Sequence, residues 1–342
     1  MAFTRKDFLR ATALASLTGL TFSSSGCAPQ SIDDAQKLKP KALKRGDTLG
    51  LIAPASPIYE EKVFNDMLMN LTDLGFELKL GAHVRKRNGY LAGTDVERLE
   101  DLMNMFQDPD VDGIMCIRGG WGCNRLLPFI DYDVIRNNPK VFCGFSDITS
   151  LHMAFFKKSN LHTFHGPVGK SVWNSFTTDA FKSVIWRGEQ AEFSLPAEED
   201  GSFLITPGLA QGIMLGGNLS VLVSMIGSEY LPSFKGAVLF LEDIGESVYR
   251  IDRMLTQLKL SGILDQISGF VFGKCTECSA GSNSLTLKQV FDDHIKPLNI
   301  PAFYGAMISH EDDNITIPFG MKATISADEK AIRMAESAVV LR

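Results

Sequence analysis

From residue 48 onward, short apolar runs alternate with stretches whose apolar residues recur at helical spacing. Residues 48–53 (TLGLIA) have the pattern of a buried strand that stops at Pro54, Ala55, Ser56 and Pro57. Residues 60–74 carry Val63, Met67, Leu71 and Leu74 at helical spacing, and Gly75 supplies a stop. A second strand is predicted over 76–80, and a second helix over 95–108 with Leu99, Leu102, Met103 and Phe106 on one face. Residues 113–117 (GIMCI) predict a third strand running into Arg118-Gly119-Gly120-Trp121-Gly122. Residues 141–145 (VFCGF) predict a fourth, which opens directly into a helix over 146–158. Strands alternating with helices imply βαβ units and a mainly parallel sheet. Ligands bind such sheets beyond the carboxyl ends of the strands. The loops 54–57, 118–122 and 146–147 lie at those ends and are expected to meet at one edge.

The pattern changes after residue 165. Residues 166–205 are polar and without a strong period, and read as a connection between an N-terminal α/β domain (46–165) and a C-terminal domain (206–342). In the second domain, residues 212–215, 237–241, 270–272 and 323–341 predict strands, with a hairpin turn at 326–330, and 248–260 predicts a helix. That half is β-rich α+β. The full chain length of 342 residues also fits two domains.

The first 26 residues differ from the rest. Arg5, Lys6 and Arg10 precede an uncharged, mostly apolar stretch over 11–22, then small residues and Cys27. This is the form of an export signal. Residues 4–10 resemble a twin-arginine motif with Lys6 in place of the second arginine. The small residues before Cys27 resemble a lipoprotein cleavage site, although Ser24 stands where an aliphatic residue is usual. Cys27 is therefore the candidate for lipid attachment, a tether that does not span the bilayer. Residues 27–45 read as a polar linker. The expected location is the periplasm or cell envelope.

Composition narrows the classes. Hydrophobic residues at 45% and charged residues at 22% exclude a largely disordered chain. A net charge of −6 leaves no basic footprint for nucleic acid. Six cysteines are too few for a disulfide scaffold. Cys116 and Cys143 sit in apolar runs as small hydrophobes. Cys275 and Cys278 form a Cys-x-x-Cys without a second ligand pair, and read as packed or reduced thiols in a loop rather than a metal site.

Among candidate chemical groups, Ser146 follows a strand at once and opens a helix, where its hydroxyl would stand near free helix amides. The same position suits a simple helix cap. Glu242 and Asp243 end the run 237–241, where a carboxylate can orient a histidine or merely cap a turn. His165, before Gly166-Pro167, and His310, in the polar loop 309–313, are both candidates for a base, and pattern alone does not choose between them.

Eight segments taken together resemble the LD-carboxypeptidase family of serine peptidases, the muramoyltetrapeptide carboxypeptidases. They are Ile52-Ala53-Pro54-Ala55-Ser56, Tyr90-Leu91-Ala92-Gly93-Thr94, Arg118-Gly119-Gly120-Trp121-Gly122, Gly144-Phe145-Ser146-Asp147, His165-Gly166-Pro167, Gly216-Gly217-Asn218-Leu219, Leu241-Glu242-Asp243-Ile244-Gly245-Glu246 and Ser309-His310, in family order. The resemblance implies a flavodoxin-like parallel α/β N-terminal domain and a β-rich C-terminal domain with the site between them. It implies Ser146 as nucleophile, Glu242 as the residue orienting the base, and His310 as the base. The backbone amides of Gly120 and Asp147 are candidates for the oxyanion hole. Arg118, Trp121, Asn218 and Arg250 are candidates for substrate binding, the two arginines as clamps on a free carboxylate. Trp121 stands where Tyr or Phe is more usual, and His310 is followed by Glu311-Asp312-Asp313 rather than Gly, so acidic neighbours are expected to raise its pKa.

The implied reaction removes the terminal D-Ala from a murein tetrapeptide through an acyl-enzyme, with no metal or organic cofactor. The resemblance also allows a homodimer. Two other readings compete: a relative that hydrolyses a peptidyl-nucleotide antibiotic with the same triad, and a periplasmic solute-binding protein, which has no need of Ser146, Glu242 and His310 together.

Overall fold

A computed structural model of the chain describes residues 37–195 and 201–342. The export signal and Cys27 lie outside the described residues. In chain order the first elements are β1 (Thr48–Ile52), α1 (Glu61–Asp73), β2 (Glu77–Leu80), α2 (Asp95–Gln107), β3 (Gly113–Cys116), α3 (Tyr132–Asn137), β4 (Val141–Gly144), α4 (Thr149–Ser159) and β5 (Thr163–His165). Then come α5 (Ser175–Ile185), β6 (Glu192–Ser194), β7 (Phe203–Thr206), β8 (Leu209–Asn218), α6 (Leu219–Ser224), β9 (Val238–Ile244), α7 (Val248–Leu260) and β10 (Gly269–Thr276). The last are α8 (Leu287–His294), β11 (Ala302–Ala306), β12 (Ile317–Phe319), β13 (Lys322–Ser326) and β14 (Ala331–Met334).

The first sheet has the order β12-β5-β4-β3-β1-β2. Its five N-terminal strands are parallel, and β12 closes the β5 edge antiparallel. The strand order reverses between β1 and β3, which is where such sheets open a ligand crevice. β1, β3 and β4 are buried along most or all of their length, as their unbroken apolar runs require. The second sheet has the order β6-β14-β13-β8-β9-β10-β11-β7. Its centre, β8 to β11, is parallel, and antiparallel strands extend both edges.

The two sheets share one continuous apolar cluster. The His165 and Phe240 rings meet edge-on at 5.2 Å, and Phe240 meets Phe319 of β12 edge-on at 6.2 Å. The chain itself stitches the sheets together after β12. Gly320 N–H donates to the Met214 carbonyl, and Met214 N–H to that of Met321, each at 2.8 Å.

Several expectations need correction. Residues 37–45 are no free linker. Ala42 N–H bonds the Val340 carbonyl at 2.9 Å, Leu43 N–H bonds that of Ile185 at 3.0 Å, and Leu43 is 1% exposed. A few isolated apolar anchors in a polar stretch give no period to read. Residues 166–205 contain α5 and the edge strands β6 and β7 rather than a plain crossing. Phe181 of α5 packs edge-on against Phe76 and Trp173, so this helix covers the first sheet. The buried face of α1 uses Phe64 with Met67 and Leu71, while Val63 is exposed. In α2 the buried face holds Arg98 and Asp101 beside Leu102, Met105 and Phe106. Cys275 and Cys278 are joined by a disulfide, because the turn after β10 closes with a Cys278 N–H bond to the Cys275 carbonyl and brings the Cα atoms to 5.3 Å.

The end of β8 packs tightly against the start of α4. Gly217 has φ +121°, and a Cβ there would lie 2.4 Å from Thr149 Oγ1, the atom that accepts the Asn218 N–H bond at 2.9 Å. Gly217→Ala is expected to destabilise the protein by about 2–4 kcal/mol, the sum of a strained backbone and overpacking. Urea unfolding measures it, and an unchanged midpoint would contradict this account of the contact.

Candidate active site

The loops after β1, β3 and β4 meet. Ser56 N–H donates to the Gly119 carbonyl at 3.4 Å, and Ser56 Oγ accepts from Trp121 N–H at 3.2 Å. Gly120 has φ +122°, and a Cβ on it would stand 2.3 Å from Ser56 Oγ, so only glycine lets the two loops approach this closely. Arg98 fastens them from beneath. Its side chain is fully buried, pairs with Asp95 at 2.6 Å, and donates to the carbonyls of Pro54 and Gly122. Ser56 and Arg98 were not singled out by the sequence as builders of the site. The available signal was a charged residue on the buried side of α2, one turn before Leu102.

Ser146 has φ +65°, in the left-handed region that a non-glycine residue enters only at some cost. It begins the 3₁₀ turn Ser146–Ile148 that leads into α4. Its side chain caps neither the turn nor the helix, and Oγ makes no hydrogen bond among the described residues. The capping alternative therefore fails. The geometry is that of a nucleophile elbow, in which a strained turn lifts a hydroxyl off the sheet edge. Gly119 makes the room: a Cβ there would come within 2.7 Å of Ser146 Cβ. The next residue, Asp147, turns its carboxylate inward to accept from Cys123 N–H at 2.8 Å, and burial raises its pKa. Among the described residues, the backbone N–H groups of Asp147 and Gly120 have no protein acceptor. Both flank the hydroxyl in sequence or in space.

The other half of the site comes from the second sheet. Glu242, near the end of β9, has no exposed surface. Its Oε2 lies 2.8 Å from His310 Nδ1, and its Oε1 accepts from Asn218 Nδ2 at 3.2 Å. With Nδ1 committed to the carboxylate, Nε2 is the nitrogen left for proton transfer. Asn218 also donates to Asp243 at 3.2 Å, and the pKa of Asp243 is pushed up to about 7 by burial and by the Glu242 charge. His310 is mostly buried, which works to lower its pKa. The charge and hydrogen bond of Glu242, with the Asp243 charge, outweigh that effect and raise it. The acidic string after His310 is not the cause that was expected. Glu311 turns away to accept from Thr276 Oγ1 at 2.8 Å, and Asp313 accepts from Asn174 Nδ2 at 2.7 Å.

His165 is fully buried, and its Nε2 lies 3.0 Å from the Ile308 carbonyl. A carbonyl only accepts, so that nitrogen carries the proton, and the basic nitrogen, Nδ1, is buried where neither solvent nor the cleft reaches it. This removes the alternative to His310.

A cleft of about 470 Å³ brings Ser146 and His310 together with Gly119, Gly120, Phe145 and Arg118 along its walls. The remaining candidates lie elsewhere. Asn218 stands behind Glu242, away from the cleft. Trp121 is 51% exposed and packs edge-on against Tyr90 at 5.4 Å. Arg250 is paired with Glu246 at 2.6 Å. The arrangement supplies a strained hydroxyl, an imidazole with an oriented tautomer and two free amides, which are the parts of an acyl-transfer site.

Family models match both halves of the chain. The LD-carboxypeptidase N-terminal domain model matches residues 49–166, and the LD-carboxypeptidase C-terminal domain model matches 211–325. The chain belongs to the LD-carboxypeptidase family. A probable murein peptide carboxypeptidase of Bacillus subtilis is 41% identical over 85% of this chain and 92% of its own. A muramoyltetrapeptide carboxypeptidase structure from Oxalobacter formigenes superposes with a TM-score of 0.73 at 29% identity, over 84% of this chain and 97% of that one. The Escherichia coli microcin C7 self-immunity protein is 30% identical over 85% of this chain and 94% of its own. A structure of the self-immunity protein superposes with a TM-score of 0.83, over 89% of this chain and all of that one.

An unbonded, strained hydroxyl beside an oriented imidazole should react with a fluorophosphonate. Intact-mass analysis is expected to find one adduct on the protein, mapped to Ser146 and absent from Ser146→Ala. An adduct on another serine would move the site.

Proposed function

We propose that this protein is a serine LD-carboxypeptidase that removes the terminal D-Ala from murein tetrapeptides. The observation that carries the reading is the buried 2.8 Å pair of Glu242 and His310 opening on the cleft that Ser146 lines. Ser146 Oγ attacks the carbonyl before D-Ala while His310 takes its proton. The amides of Gly120 and Asp147 hold the oxyanion, each donor worth roughly 3–4 kcal/mol of barrier. His310 then returns the proton to the leaving amine of D-Ala, and water hydrolyses the acyl-enzyme by the same path in reverse. Glu242 keeps the imidazole oriented and stabilises its charged form. A solute-binding protein would have no use for this pairing.

The exported location, a lipid tether at Cys27 and a homodimer complete the proposal. They are supported by the charged-apolar-small order of residues 1–26 and by the family resemblance. A second reading, hydrolysis of a peptidyl-nucleotide antibiotic, draws on the structural likeness to the self-immunity protein. An exported enzyme would miss a toxin that acts in the cytoplasm, which favours the murein substrate.

The deciding experiment incubates the protein with L-Ala-γ-D-Glu-meso-diaminopimelyl-D-Ala and follows free D-Ala, with Ser146→Ala in parallel. Release by the parent and a fall of several orders of magnitude in the variant are expected. Release that survives in the variant would remove Ser146 from its role, and no release from either would shift the reading to the peptidyl-nucleotide.

The pH profile tests the base. His310 acts in its neutral form, and its pKa is raised above the ordinary 6.5, so kcat/KM should fall as pH drops through a value above 6.5. Glu242→Gln removes the raising charge and leaves burial, so the acid limb should move to lower pH. Asp243, freed from Glu242's charge, ionises more readily and limits the shift. At the same time kcat should drop roughly 10²–10⁴-fold. An acid limb that stays in place would count against His310.

A further inference from the structure

Beside the nucleophile, the cleft holds two cations with no carboxylate joined to them. Lys170 N–H donates to the Ile117 carbonyl at 3.0 Å, and Gly169 N–H to that of Cys116 at 2.9 Å. The chain after β5 therefore runs along the end of β3, and Lys170 comes to rest beside Arg118. Both side chains line the cleft with Gly119 and Ser146. Arg118 is tied by one contact, from Nη1 to the Pro57 carbonyl at 3.0 Å. Its Nε is buried and has no partner among the described residues. Neither cation takes part in an ion pair within 4.0 Å among the described residues. Partial burial, and then the Arg118 charge, hold Lys170 below the usual lysine range, while Glu60 acts more weakly the other way. Of the acids on the cleft wall, Glu311 accepts from Thr276 Oγ1 at 2.8 Å, and neither Glu311 nor Asp312 forms an ion pair with Arg118 or Lys170 among the described residues.

Like charges held side by side cost free energy that an anion between them recovers. The anion available to an exopeptidase is the terminal carboxylate of its substrate. We infer that Arg118 and Lys170 together form the subsite for the free carboxylate of the leaving amino acid. The inference rests on the carboxypeptidase reading and adds to it a reason for cleavage at a chain end. The arginine offers directional donors, and the lysine a compact charge that completes neutralisation. A peptide that continues past this residue, or ends in an amide, brings no charge to the pair.

The test uses binding, so that chemistry does not intervene. Calorimetry with Ser146→Ala protein compares the tetrapeptide L-Ala-γ-D-Glu-meso-diaminopimelyl-D-Ala with the same peptide amidated at its terminal carboxyl. The acid is expected to bind at least about tenfold more tightly than the amide, as charge-assisted hydrogen bonds allow. Adding Lys170→Met should cut that ratio to about threefold or less, and Lys170→Arg should restore most of it. A ratio near one with Lys170 in place overturns the subsite. So does an unchanged ratio in Lys170→Met. Release of D-Ala by the parent enzyme combined with a ratio near one would leave the carboxypeptidase standing and sink only the subsite.

Discussion

Glu242 is a charge with no exposed surface, and the arrangement around it answers that constraint. A buried carboxylate is tolerated only when donors reach its oxygens. One donor is His310 and the other is the amide of Asn218. The orientation of that amide is fixed in turn, because Asn218 Oδ1 accepts from Ser220 Oγ at 2.7 Å and from Val221 N–H at 3.1 Å. The NH₂ group therefore has to face the carboxylates. Asn218 is also the N-cap of α6, so a helix start, a strand end and the imidazole tautomer are settled by one short network. Its chemical consequence is a histidine that stays basic although burial pushes it the other way.

Ser146 is the complementary constraint. A left-handed φ on a serine persists only where its surroundings leave no alternative. Here the strand before it is completely buried, Asp147 is anchored to Cys123, and the loop at Gly119 leaves only enough room for the Ser146 side chain. That loop is itself held by Ser56 and Arg98. The strain is thus supported by hydrogen bonds to fixed backbone groups, which is what a hydroxyl without a partner needs in order to stay in place.

In the parallel half of the fold, β1, β3 and β4 were legible in the sequence because they are buried on both faces and read as nearly unbroken apolar runs. Ser146, Glu242 and His310 were legible through their short motifs. Their roles came from resemblance, since a serine at a helix start and a histidine in a polar loop are each ambiguous alone. What the sequence concealed has a common physical cause. Leu43, α5 and β12 are placed by contacts with distant segments, and no local period announces such contacts. Arg98 was hidden because a charge on a buried helix face breaks the very pattern used to find that face. The acids after His310 misled for the opposite reason. Proximity in sequence suggested an electrostatic partner, yet Glu311 and Asp313 are bonded elsewhere, and the charge that matters lies on β9.

The two sheets contribute different members of the site, so their relative position has to be set by something stiffer than a linker. The register of β4 and β5 supplies it. Gly144 is paired with His165 across the first sheet. Ser146 follows Gly144 by two residues. His165 donates from Nε2 to Ile308, two residues before His310. Ser146 and His310 are therefore both referred to a single pair of neighbouring residues in one buried ladder. His152 reinforces the same point, with Nε2 at 2.8 Å from the Gly144 carbonyl and Nδ1 at 2.8 Å from Thr163 Oγ1. Burial lowers the pKa of both buried histidines, that of His152 to about 3, which favours their neutral forms and these bonds. The histidines of this frame and His310 are thus shifted in opposite directions, the former down by burial and the latter up by the carboxylates beside it.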